Sequence, residues 1–254
     1  MNRKLEPIAT ISVANSLGEC VLWDDVNACV LWTDITGKKL YSHDPATATT
    51  TSLDVEEELC AFAMIEGSEN LLCAFRSGFA IMDRFSGSFS WLYRIKDSER
   101  ARLNDGRADR KGRFWCGSLM DNENNSPERD LSAELYCVSR QGTVTTKLDG
   151  VGISNSICWS PDSSVMYFAD TTRSEIWAFD FDDTAGSISN RRVFARTPDS
   201  CGPDGSVTDA EGFLWNAEWG RGRVVRYAPD GSTDTVLQLP VSHVTCVAFG
   251  GETL

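Results

Sequence analysis

The chain has 254 residues, with 37 acidic against 24 basic side chains and a net charge of −13. That balance excludes the basic stripe of a nucleic-acid binder and disfavours anionic membrane surfaces. No apolar run is long enough for a signal peptide or a membrane-spanning helix, and there are two histidines, His43 and His243. A histidine-rich zinc site is therefore excluded by count, and neither histidine has the context of a Ser-His-Asp triad. Any reactive centre must be built from carboxylates, amides and an oxygen-preferring metal.

The predicted elements are strands in a repeating order. A turn rich in Asp, Gly, Asn or Ser leads into an aromatic or β-branched strand, and a second turn leads into a second strand. The first copy runs from Asp25 into Cys29-Val30-Leu31-Trp32 and then Leu40-Tyr41. The second runs from Glu66 into Leu71-Leu72-Cys73-Ala74-Phe75 and then Phe79-Ala80-Ile81. The third runs from Asp109 into Phe114-Trp115-Cys116 and, after a polar insertion over residues 121–130, into Leu135-Tyr136-Cys137-Val138. The fourth runs from Asp162 into Val165-Met166-Tyr167-Phe168-Ala169 and then Ile176-Trp177-Ala178-Phe179. The fifth runs from Asp209 into Phe213-Leu214-Trp215 and then Val224-Val225-Arg226-Tyr227.

The periods are 41, 43, 53 and 47 residues. Short strands at that period predict an all-β fold, a β-propeller with one blade per repeat. Phe249-Gly250-Gly251 opens a sixth copy, so six blades are expected in a single domain over residues 1–254, the last incomplete at the C-terminus. A strand over residues 8–13 is expected to pair into that blade. The natural protein is expected to extend by one or two strands, or to cover the unfinished blade through oligomer contacts. Glu56-Glu57-Glu58 is expected to be a solvated loop, and the 121–130 insertion a surface excursion or part of a rim over the channel. Trp23, Trp32, Trp115, Trp159, Trp177, Trp215 and Trp219 should mostly pack between blades, with Trp219 nearer a rim, and His43 and His243 should sit in loops or at strand ends. The nine cysteines are odd in number, widely spaced and set in apolar runs. They are expected to be reduced, buried hydrophobes in a cytoplasmic protein.

Four segments are polar where a structural repeat does not require it: Gly18-Glu19-Cys20-Val21, Arg102-Leu103-Asn104-Asp105-Gly106, Ile153-Ser154-Asn155-Ser156 and Pro203-Asp204-Gly205-Ser206. Each precedes a strand about once per blade, where strand starts surround one mouth of a propeller's channel. Singly, each has a bland reading: Glu19 as a surface acid, Asn155 as a turn residue, Pro203-Asp204-Gly205 as a hairpin turn like Pro229-Asp230-Gly231.

Together, in this order and spacing, they resemble the SMP-30/gluconolactonase/regucalcin family of sugar lactonases, from about Gly18 to Gly251. The resemblance implies a metal-dependent hydrolase that opens an aldonolactone to its sugar acid. It implies that Glu19, Asn155 and Asp204 hold one divalent ion (Ca²⁺, Mn²⁺, Fe²⁺, Mg²⁺ or Zn²⁺). It also implies that Arg102, Asn104 and Asp121 contact substrate, and that Asp204 is the candidate general base. Two carboxylates and an amide form an all-oxygen site suited to such ions. A cation there can polarise a carbonyl and offset the charge that ring opening builds on its oxygen. The expected partner is a small sugar lactone, with neither nucleic acid nor membrane. The alternatives are a promiscuous esterase or phosphotriesterase on the same scaffold, and a non-catalytic ion-binding or interaction propeller. The sequence departs from the family pattern at Cys20, Val21 and Ser156. Relatives have Gly or Ser and then Pro after the first Glu, and Gly after the metal-binding Asn. If the backbone at Ser156 has positive φ, strain is expected there.

Overall fold

In the computed structural model, residues 2–3, 8–96, 98–121, 131–198 and 201–251 are described. A two-residue strand β1 (Asn2–Arg3) is followed by strands in sets of four. The first sheet is β2 (Gly18–Asp24), β3 (Cys29–Asp34), β4 (Lys39–Asp44) and β5 (Thr49–Asp54). The second is β6 (Leu59–Met64), β7 (Asn70–Phe75), β8 (Gly78–Asp83) and β9 (Phe89–Arg94). The third is β10 (Ala101–Ala108), β11 (Phe114–Met120), β12 (Ala133–Val138) and β13 (Val144–Val151). The fourth is β14 (Ser154–Trp159), β15 (Val165–Asp170), β16 (Glu175–Asp182) and β17 (Ser187–Arg196). The fifth is β18 (Gly202–Thr208), β19 (Leu214–Trp219), β20 (Arg223–Tyr227) and β21 (Thr233–Gln238). Each set is an antiparallel meander in chain order. Consecutive pairing through short turns, with burial between sheets, is the architecture of a propeller blade.

The strands expected from the repeats are the second and third of each sheet. The polar segments do not stand outside the blades: they are the innermost strands β2, β10, β14 and β18. Their alternation is broken because every innermost strand carries a register shift. The shifts fall between Glu19 and Leu22, Leu59 and Ala61, Leu103 and Gly106, Asn155 and Cys158, and Pro203 and Ser206. A bulge leaves side chains unpaired with the ladder and re-aims them, here toward the axis. The second sheet's inner strand, Leu-Cys-Ala-Phe-Ala-Met, carries no polar marker and was not anticipated.

The repeated Asp turn has a direct cause. Asp109 accepts from the amides of Lys111 and Arg113 and, at 2.9 Å, from the indole of Trp115. Asp209 repeats this with Glu211, Phe213 and Trp215. The carboxylate thus closes the turn and orients the aromatic that packs between blades. Trp115 meets Trp159 and Phe181 with ring centroids 6.1 and 5.8 Å apart. Each buried aromatic contributes about 1.5–3 kcal/mol by burial alone.

Hydrogen bonds run from sheet to sheet around the ring. Thr33 Oγ1 donates to the carbonyl of Leu59, the amide of Leu103 to that of Arg76, and Thr208 Oγ1 to that of Trp159. The amide of Ile157 donates to Asp105 Oδ2 at 3.0 Å. The amide of Gly205 donates to the carbonyl of Thr245, whose Oγ1 donates to the carbonyl of Gly18 at 2.6 Å. Residues 243–250 therefore lie between the fifth and first sheets. Where six blades were anticipated, the described residues form five sheets. The residues leading into the sixth copy form no sheet of their own; besides those hydrogen bonds, one isolated bridge pairs Trp219 with His243. Residues 8–13 form no strand. Instead, β1 joins the outer edge of the fifth sheet, parallel to β21.

All nine thiols are free, eight of them buried. His43 lies within β4 and pairs with Thr50 Oγ1 at 2.8 Å, and His243 stacks on Trp219 at 4.1 Å. No helix among the described residues is long and apolar enough to cross a membrane.

Candidate active site

Glu19, Arg102, Asn104, Asn155 and Asp204 all occupy the N-terminal halves of innermost strands, at one end of the channel. Each register break begins at Glu19 or Asn155, or one residue before Asn104 or Asp204. Glu19 and Asn155 are thus the last paired residues before their breaks, and Asn104 and Asp204 the first unpaired residues within theirs. Asn104, Asn155 and Asp204 are 7, 4 and 5% exposed, a burial that polar side chains tolerate only when paired or functional.

Arg102 Nη1 donates to Asn104 Oδ1 at 2.7 Å, and Asn104 Nδ2 donates to Asn155 Oδ1 at 3.1 Å and to the carbonyl of Ser154 at 2.9 Å. Asn155 Nδ2 donates to Thr171 Oγ1 at 2.9 Å. The structure thus brings Arg102, Asn104 and Asn155 into direct contact.

Glu19 and Asp204 come together electrostatically. Burial first, then the charge of Asp105, raise the Glu19 carboxyl to about 8 against the opposing pull of Arg102. Burial first, then the charges of Glu19 and Asp105, raise Asp204 well above the usual carboxylate range. Asp204 Oδ1 is buried with no hydrogen-bond partner among the described residues. Two carboxylates whose charges oppose each other, one with an orphaned oxygen, and an amide oxygen with a spare lone pair are donors of the kind a hard divalent cation takes. Among the described residues no three His, Cys, Asp or Glu side chains cluster as a metal site.

Asp121 stands apart from this group. It is held at the rim by Arg76, whose Nη1 also pairs with Glu58 Oε2 at 3.0 Å. Arg76 was not singled out in the sequence, and Glu58 was read there only as part of a solvated loop. Glu58 and Glu57, expected to be solvated, are half-buried, and Glu57 accepts from the amide of Ser77 at 2.6 Å. The rest of the polar insertion, residues 122–130, lies outside the described residues.

The departures at Cys20 and Ser156 are bulge residues with φ of 50° and 66°, so the left-handed backbone expected of a glycine is present at Ser156. Ser156 Oγ bonds Ser206 Oγ and accepts from Asn216 Nδ2, which also holds the carbonyl of Asp204 at 2.9 Å. Cys20 Sγ accepts from the amide of Phe62 at 3.3 Å. Each side chain spans the gap to the next sheet, which offsets part of the cost of its backbone.

A β-propeller with buried, oxygen-bearing side chains gathered at one end of its inner strands defines the class, and sequence comparison narrows it. Residues 17–254 match the model of the SMP-30/Gluconolactonase/LRE-like region. L-arabinolactonase of Azospirillum brasilense is 37% identical over 240 residues, covering 94% of this chain and 79% of that protein. Regucalcin of Xenopus laevis is 31% identical over 244 residues, covering 95% and 81%. The crystal structure of the calcium-binding protein regucalcin from Agrobacterium tumefaciens superposes with a TM-score of 0.84 at 31% identity, covering 92% of this chain and 78% of that one. The chain belongs to the SMP-30/gluconolactonase family.

Proposed function

We propose that this chain is a metal-dependent lactonase that opens a sugar lactone to the free sugar acid. The carrying observation is the buried Asp204, its Oδ1 unpartnered and its charge opposed by that of the half-buried Glu19, on a strand tied through Thr171 to the buried Asn155. Relatives named for lactone hydrolysis add support: the arabinolactonase, a 6-deoxy-6-sulfogluconolactonase of Pseudomonas putida and a pentonolactonase of Haloferax volcanii. A five- or six-carbon aldonolactone is therefore the proposed substrate class.

Glu19, Asn155 and Asp204 would hold one divalent ion. When bound, such an ion supplies positive charge to the lactone carbonyl and to the charge that develops there. Arg102 and Asn104 bind and orient the sugar hydroxyls, and Asp121 offers an acceptor from the rim. Asp204 orients the attacking water and takes its proton; a carboxyl with a raised proton affinity suits that role. The strands on all sides limit solvent to the channel mouth. We place the site in a single propeller domain over residues 1–254, acting in the cytoplasm, with residues 243–250 at a sixth position of the ring.

The test is turnover of a panel of pentono- and hexonolactones by metal-stripped protein, with Ca²⁺, Mn²⁺, Fe²⁺, Mg²⁺ or Zn²⁺ restored singly. The expected result is activity that returns with a specific ion and is abolished in Asp204→Ala. Lactone opening that survives both chelation and Asp204→Ala overturns the proposal. Faster turnover of aryl esters or phosphotriesters than of any lactone overturns the substrate class.

A further inference from the structure

The hydrogen bonds across the site all point one way. Arg102 donates to Asn104 Oδ1, Asn104 Nδ2 to Asn155 Oδ1, and Asn155 Nδ2 to Thr171 Oγ1; Thr171 Oγ1 donates to the carbonyl of Pro203 at 2.7 Å. The chain crosses from the third sheet through the fourth to the fifth and ends on the residue before Asp204. Thr171 lies outside every sheet, in the 3-10 turn Thr171–Arg173 that follows β15.

Carbonyl oxygens only accept, and this fixes the direction of the chain. Because Thr171 spends its one proton on Pro203, its oxygen can only accept from Asn155. The NH₂ of Asn155 must therefore face Thr171, and its Oδ1 must face Asn104 and the channel. The carbonyl of Ser154 orients Asn104 in the same sense from the other end. Aligned donors of this kind polarise one another and hold a single arrangement.

We infer that Thr171 is a positioning residue: its hydroxyl sets which end of the Asn155 amide is presented to the site, and ties that amide to the strand carrying Asp204. The inference rests on the reading of Asn155 and Asp204 as metal ligands and assigns a residue that supports them. Without the hydroxyl, the Asn155 NH₂ and the Pro203 carbonyl lose their partner, and the amide is free to rotate its nitrogen toward the ion. Groups that orient metal ligands through a hydrogen bond typically govern affinity by 10–100-fold.

The experiment is Mn²⁺ titration by calorimetry on metal-stripped wild type, Thr171→Val and Thr171→Ser, with thermal melts confirming that each is folded. Thr171→Val should bind Mn²⁺ about tenfold more weakly, at the low end of that range, and Thr171→Ser should bind like wild type. Equal affinity in Thr171→Val and wild type overturns the inference, as does an equal loss in Thr171→Ser, which would make the effect one of packing. If Thr171→Val does not fold, Thr171→Cys keeps the volume with only a weak donor and is expected to show the same loss. A wild-type chain that takes up no Mn²⁺, Ca²⁺ or Zn²⁺ overturns the metal site itself, a result distinct from the other two.

Discussion

Asn104 and Asn155 stand 51 positions apart in the chain, yet the NH₂ of one meets the Oδ1 of the other at 3.1 Å. Both are buried, so neither amide can turn to water instead. Asn104→Ala removes the partner of Asn155 Oδ1 and of the Ser154 carbonyl. Leaving buried acceptors unmade costs about 1–3 kcal/mol. Urea melts should show that loss with an unchanged m-value; a smaller loss would mean that the amide pair is not stabilising.

Glu19 and Asp204 repel each other inside the protein. Removing either charge relieves that repulsion but destroys a ligand. In EDTA, Glu19→Gln and Asp204→Asn should each melt higher than wild type, by roughly 2–4 °C if about 1 kcal/mol is relieved. With a divalent ion added, only wild type should gain stability. Scanning fluorimetry decides this: variants that melt lower in EDTA would contradict the crowding.

Asp24, Asp34 and Asp209 predict an acid-sensitive limb. Burial works against each charge, but hydrogen bonds overcome it and hold all three below the usual value: amides and Asn15 for Asp34, Asn27 and Arg84 for Asp24, Trp215 and Arg226 for Asp209. A carboxylate depressed in the folded state contributes stability above its unfolded pKa and loses it as pH falls through the folded one. The stability these three carboxylates contribute should hold down to about pH 4, the range of an unperturbed Asp, and be lost below it. Asp209→Asn should shallow that fall, and an identical slope would remove Asp209 from the account.

Ser156 combines a left-handed backbone with a hydroxyl bonded to Ser206. Ser156→Ala keeps the strain and loses the bond; Ser156→Gly relieves the strain and loses the same bond. The alanine variant should be the less stable of the two, by about 1 kcal/mol. Denaturant melts that rank them the other way would place the strain elsewhere.

At the rim, Arg76 binds both Asp121 and Glu58. If Asp121 contacts substrate in the geometry Arg76 gives it, Arg76→Ala and Asp121→Ala should each raise KM. The double variant should be sub-additive by about 0.5 kcal/mol or more. Strict additivity in kcat/KM would show that the two act independently.

Much of this was legible in the sequence, for identifiable reasons. Each of the five Asp- or Glu-led repeats became the middle of one sheet, whereas the sixth expected at Phe249 formed none among the described residues. Glu19, Asn104, Asn155 and Asp204 showed because polar residues interrupt strand-like runs. Leu59 did not: an inner strand without a polar residue resembles any other core segment. Thr171 reads as an ordinary turn residue, since its role depends on Pro203, which only the packing of two sheets brings within reach. Arg76 and Glu58 were hidden in the same way. The 8–13 segment misled because apolar alternation alone does not supply a pairing edge.

The bulges of the five inner strands have a consequence for how such a protein can change. Backbone pairing resumes on both sides of every break, so the one or two residues skipped at each break are not held by the ladder to the next strand. Four of the inner strands carry an oxygen-bearing side chain at or next to such a break, and the second carries Leu59 there. Chemistry at the mouth can be exchanged strand by strand while the scaffold beneath keeps its shape.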